Sequence, residues 1–187
     1  MSFIRYLNMC ACVHLHRVIP SKIYIRDTFH NKGHNFKNMK ITCNLCPKSN
    51  ESNEHIFHEC RTAKATWSWV YPTIQDILNT NFKIFDLTLN KFPQGISMNK
   101  IKMVSTLIQI TLHTIWLNRN KFLFDKVSDA PTLEGTLKQI SSNFYQSIKK
   151  KFNEHMPNQL QKFRQTFCHT PKVCDVINDK ELSVKLL

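Results

Sequence analysis

Residues 43–60 read CNLCPKSNESNEHIFHEC, a C-x2-C-x8-H-x4-C spacing formed by Cys43, Cys46, His55 and Cys60. Zinc takes four soft or borderline ligands at tetrahedral corners, and a C-x2-C turn sets two thiolates on one ion. The intervening loop carries Pro47, Ser49, Asn50 and Ser52 and is polar enough to wrap back. His55 and Cys60 then close the site. Four protein ligands leave no position for water, so the zinc expected here is structural. Such a site supplies roughly 10–16 kcal/mol of binding free energy, enough to order a segment with few apolar residues. His58 is the alternative fourth ligand, although it stands only two residues from Cys60 and makes a strained chelate. The competing reading is three buried free thiols in helices. A CxxC pair alone leaves that reading open, and two further ligands at closing distance favour the metal.

Outward from this window the periodicity is helical. Residues 2–18 place Phe3, Leu7, Cys10, His14 and Arg17 on one face, and Pro20 ends that helix. Ser21 suits the cap of a short helix over 22–29, and 31–38 is a polar loop. Residues 61–79 turn helical again through Ala65, Trp69, Ile74 and Leu78, with Pro72 expected to kink or split the run. The Pro- and Gly-containing stretch 90–97 is the best internal boundary. A stripe through Ile101, Val104, Ile108, Leu112, Ile115 and Phe122 predicts a helix over 99–126. A second, through Leu133, Leu137, Ile140, Phe144, Ile148 and Phe152, predicts one over 131–155, with Asp129 as cap and Pro131 in its first turn. The fold class expected is mainly α: a helical module with an embedded CCHC zinc knuckle, followed by a long-helix pair. Its parts are a zinc-binding region over 1–90, a helical hairpin over 98–156 and a partly ordered tail over 157–187.

The window resembles the zinc-binding domain found C-terminal to reverse transcriptases of non-LTR retrotransposons. After the Cys pair that family carries an acidic residue before a His, a hydrophobic-aromatic pair and a last Cys, matched here by Glu54, His55, Ile56, Phe57 and Cys60. Leu15-His16 and Ile19-Pro20-Ser21-Lys22 upstream, Ala63 and Trp67 downstream, and Ile115-Trp116 with Arg119-Asn120 further on are similar to its flanking motifs. The resemblance covers roughly residues 10–70 and 108–125. It implies a non-catalytic module that holds RNA or DNA near a polymerase domain. No adjacent Asp pair exists, and Asp27, Asp76, Asp86 and Asp125 are too scattered for a reverse-transcriptase, endonuclease or RNase H carboxylate cluster. The alternatives are a protein-interaction scaffold built on the 99–155 helices, or a decayed retrotransposon fragment without a selected role.

Composition agrees with a nucleic-acid partner. The 187 residues carry 26 Lys and Arg against 13 Asp and Glu, a net charge of +13 that favours an acidic partner. Only three glycines occur, too few and too dispersed for a phosphate-cradling Gly-rich loop. The charge is not uniform: residues 1–42 hold seven basic side chains and one acidic, whereas 43–60 hold one and three. The knuckle is therefore acidic, and phosphate contacts are expected on the flanking helices. The candidates are Arg5, Arg17, Lys22, Arg26, Arg61, Lys64, Arg119 and Lys121. The competing reading is solvated helix faces, and for any single Lys that is the favoured one. Lys149-Lys150-Lys151 spreads around a helix and makes no single stripe. Trp67 and Trp69 are candidates for base stacking, and Trp116 is expected in the core. Two weaker clusters stand apart: Cys10/Cys12/His14/His16, whose alternation scatters them around a helix, and Cys168/His169/Cys174, which has no fourth partner nearby. No convincing secretory signal or membrane span occurs, so a reducing intracellular compartment, cytoplasmic or nuclear, is expected.

Overall fold

The structure is a computed structural model and describes residues 42–46, 49–124, 129–155, 159–177 and 181–186. The helices expected over 2–18 and 22–29 lie outside the described residues, as do Arg5, Arg17, Lys22, Arg26 and the cluster Cys10/Cys12/His14/His16. A π-helical turn, His55–Glu59, leads into α1, Arg61–Leu78. Then follow α2, Ile84–Thr88, α3, Met98–Phe124, α4, Leu133–His155, and α5, Leu160–Phe167. A two-stranded antiparallel hairpin ends the chain, β1 Cys174–Ile177 and β2 Glu181–Val184, with Cys174 opposite Val184. The fold is mainly helical, as the periodicity predicts.

α1 buries Ala63, Thr66, Trp67, Val70, Thr73, Ile74, Ile77 and Leu78. Its core face is rotated from the predicted stripe, so Ala65 and Trp69 are only half-buried. Pro72 does not split the helix. It lies on the exposed face, where the unpaired carbonyl one turn earlier meets water instead of core. Asn79 ends α1 in the left-handed region, its N–H donating to the Gln75 carbonyl at 2.8 Å.

α3 is the central element and contacts the π turn, α1, α2, α4 and α5. That explains its broad buried surface: Met103, Val104, Leu107, Ile108, Leu112 and Ile115, together with Thr111 and Thr114. α4 has one neighbour fewer and buries the narrow stripe Thr136, Ile140, Phe144, Ile148 and Phe152. The Asn118 side-chain amide donates to the Thr136 hydroxyl at 2.9 Å and pins the pair together. The cap of α4 is Thr132, not Asp129, because its hydroxyl accepts the Gly135 N–H at 3.1 Å. Lys149, Lys150 and Lys151 are all exposed, since only Ile148 and Phe152 of that stretch face inward.

The described part of 159–186 is packed more fully than its weak periodicity suggests. Phe163 and Phe167 of α5 and Val173, Cys174 and Val176 at the hairpin are buried. They join one hydrophobic core that runs from Cys43 through α1, α3 and α4 to Val184. The described parts of the three segments read from the sequence share a single interior.

Candidate metal centre

The knuckle begins as a tight loop. The Cys43 N–H donates to the Ser49 carbonyl at 2.9 Å, and Thr42 bridges to Asn50. Ser52 then caps the next turn, its hydroxyl accepting the His55 N–H at 3.0 Å. The following backbone takes the wide π form, in which the Cys60 N–H reaches the His55 carbonyl at 2.7 Å. This shape decides the site. In an α-helix, residues five apart stand about 140° apart around the axis. A π turn of about 4.4 residues brings them to within roughly 50°. His55 and Cys60 can then face one ion from the same side. Cys60 leaves the turn in an extended conformation, and its carbonyl accepts the Lys64 N–H to start α1.

The ligand atoms of Cys43, Cys46, His55 and Cys60 all lie within 4.8 Å of one another. Among the described residues no other group of three or more such side chains does so. The Cys43 and Cys60 sulfurs are 3.9 Å apart, close to the edge of about 3.8 Å that two thiolates span on tetrahedral zinc. Cys46 Sγ is 2.9 Å from His55 Nε2, a hydrogen-bonding distance that opens to about 3.5 Å when both bind an ion. His55 Nδ1 is buried and makes no hydrogen bond. It faces the Glu59 carboxylate at 3.8 Å, as a ligand histidine commonly faces a carboxylate that fixes its tautomer. His58 points elsewhere: its Nε2 meets the Thr88 hydroxyl at 3.3 Å, and its ring stacks on Trp67.

The three thiols differ in their surroundings. Burial pushes the Cys43 thiol up to about 12 and raises Cys46 as well. Burial also acts on Cys60, but hydrogen bonds from the Thr62 hydroxyl at 3.3 Å and backbone N–H, together with those to Cys46 and Cys43, hold that thiol below the ordinary range. A divalent ion reverses the balance, because thiolates bind it and release their protons. The two residues between His55 and the rest of the turn, Ile56 and Phe57, are buried. Trp67 Nε1 donates to the Phe57 carbonyl at 2.6 Å and ties the metal loop to α1. The chain can hold one metal ion at this position.

The expected nucleic-acid residues do not share one environment. Arg61, Lys64 and Lys121 are exposed, at the start of α1 and the end of α3. Arg119 is a correction. It is buried, with its guanidinium paired to both carboxylate oxygens of buried Glu51 and to Asn120 Oδ1 at 2.7 Å. It braces the knuckle against α3 and does not present itself to phosphate. The same pair cancels one of the three acidic charges of the knuckle. Trp67 is buried too, so base stacking is not its role, while Trp116 is half-buried against the core.

No helix among the described residues is long and apolar enough to cross a membrane. No family model, curated protein or solved structure matches the chain. The class defined by fold and site is thus a mainly helical protein with a Cys3His cluster that could hold one metal ion.

Proposed function

We propose that the ion is zinc, that its role is structural, and that the module is non-catalytic and binds nucleic acid through the helices around the metal loop. The observation that carries the metal reading is the convergence of three sulfurs and the His55 ring within 4.8 Å. Three thiolates and one imidazole suit zinc, and the four ligands complete its tetrahedron. Metal analysis should find one zinc per chain, lost in Cys43→Ser and in Cys60→Ser. A folded protein free of metal after purification without chelator would refute it.

For nucleic acid, support comes from the charge of +13 and from the exposure of Arg61, Lys64 and Lys121. The resemblance to the retrotransposon reverse-transcriptase domain points the same way and suggests a polymerase domain as partner. Binding to single-stranded RNA and to duplex DNA, followed by fluorescence anisotropy between about 50 and 200 mM salt, tests it. The affinity should fall steeply with salt. Replacing Arg61 and Lys64 together by Gln should shallow the log–log slope for RNA by about 1.4. Absence of binding at the low-salt end refutes the reading.

The scaffold alternative expects exposed apolar surface along α3 and α4, where Met98 and Leu133 are exposed, Ile101, Phe122 and Leu137 are half-buried and the rest of the two stripes is buried. The specific observation in its favour is a shallow groove between α1 and α2, where Tyr71 and Phe85 are exposed beside His58 and Lys64.

A further inference from the structure

A second pair of sulfurs meets at the opposite end of the chain. Cys168 follows α5, its N–H donating to the Arg164 carbonyl at 2.9 Å. The chain then turns sharply, and the N–H groups of Val173 and Cys174 both donate to the Thr170 carbonyl, at 2.9 and 3.0 Å. That turn returns Cys174, the first residue of β1, to the side of Cys168, with the two Sγ atoms 3.8 Å apart. Both supports are anchored, because Phe167 before the turn and Val173 within it are buried. A disulfide bond of about 2.0 Å requires the sulfurs to approach by about 1.8 Å.

The two thiols differ in ways that assign roles. Cys168 is half-buried and reachable, whereas Cys174 is fully buried. The hydrogen bond with Cys174 holds the Cys168 thiol below the ordinary range, with the Arg164 charge in support, against burial and the Asp175 charge. The same hydrogen bond, together with burial, pushes Cys174 upward. Thiolate character and access therefore coincide at Cys168, as they do in oxidant-sensitive cysteines with a resolving partner. A metal is the other use of such a pair. His169, between them, has both ring nitrogens buried without a hydrogen bond, yet it does not join the sulfurs in a group of ligand atoms at metal spacing.

We infer that Cys168 and Cys174 form a redox-modification site, closed to a disulfide by a hydroperoxide. The Cys168 thiolate attacks one peroxide oxygen, the O–O bond breaks, and Cys168 becomes a sulfenic acid as hydroxide leaves. Cys174 then attacks that sulfur, forming the S–S bond and expelling the oxygen as water. For hydrogen peroxide the sum is two thiols and one peroxide giving one disulfide and two waters. A small-molecule dithiol reverses it. The product staples the end of α5 to β1.

The test uses the full chain loaded with zinc, so that Cys43, Cys46 and Cys60 are ligated, and treats it with hydrogen peroxide at one equivalent. Trypsin separates the two thiols, Cys168 in residues 165–172 and Cys174 in residues 173–180. Mass spectrometry should find these peptides cross-linked, two hydrogen masses below their sum, and free again after dithiothreitol. In Cys174→Ser, Cys168 should be trapped by dimedone as the sulfenic acid. In Cys168→Ser, dimedone labelling of Cys174 should be about tenfold slower. Equal labelling of the two variants, or no cross-link while peroxide is consumed elsewhere, overturns the inference. So does a second zinc equivalent that Cys168→Ser removes, which would make the pair metal ligands.

Discussion

At the scale of single residues, the pair Glu51–Arg119 separates two accounts of one arginine. A surface arginine for phosphate could be removed with little effect on stability. A buried one leaves Glu51 charged inside the protein, where it is 1% exposed. Breaking a buried ion pair from one side costs about 3–5 kcal/mol, whereas replacing both partners by apolar residues of similar size is often near neutral. Arg119→Ala should therefore lower the urea-unfolding free energy by about 3 kcal/mol or more, and Glu51→Leu with Arg119→Met should recover most of it. If Arg119→Ala instead weakens RNA binding at unchanged stability, the arginine acts at the surface. The sequence could not reveal this pairing, since the two residues stand 68 positions apart. Arg119 lies on the same helix as exposed Lys121, and nothing local distinguishes the inward side chain from the outward one.

Elements were more legible than their partners. The apolar stripes of α3 and α4 placed both helices to within a few residues, because a period of 3.6 sustained over several turns leaves little ambiguity. The start of α4 was less so: Asp129 and Thr132 both suit a cap, and only the backbone of the loop decides which oxygen meets a free N–H. The hairpin is not legible in the sequence because a four-residue strand, Cys174–Ile177, gives two inward positions and no more. The convergence of Cys43, Cys46, His55 and Cys60 is legible from spacing alone, but the π turn that brings an H-x4-C pair to one side is not. Its geometry depends on anchors outside the motif, and Trp67 is the chief one. Trp67→Phe keeps an aromatic ring in place and removes the donor to the Phe57 carbonyl. The loss should cost about 1–2 kcal/mol in thermal or urea unfolding and weaken zinc retention against a chelator. Unchanged retention would mean that Ile56 and Phe57 hold the turn by packing alone.

Over the whole molecule, one continuous core couples the metal loop to the C-terminal hairpin, so a titration anywhere in it is felt as global stability. His113 on α3 offers such a test. Its ring is half-buried and lies nearly parallel to Trp116, 6.3 Å between centroids. Burial lowers its basicity below that of a free histidine. Unfolding then takes up a proton that the folded protein refuses. The corresponding stability is complete above the ordinary histidine range near 6.5 and is lost as pH falls through the depressed folded value. His169, lowered by burial and by the charge of Lys100, adds in the same direction. Release of the proposed zinc on acidification would also destabilise the protein, so a single pH profile does not isolate the histidines. Comparing the zinc-loaded protein with His113→Gln at about pH 7.5 and about pH 5 does, because metal loss is common to both. The drop in urea-unfolding free energy between these pH values should be smaller in the variant. An equal drop would assign acid sensitivity to the metal centre and His169, and would mean that His113 keeps its proton affinity on folding.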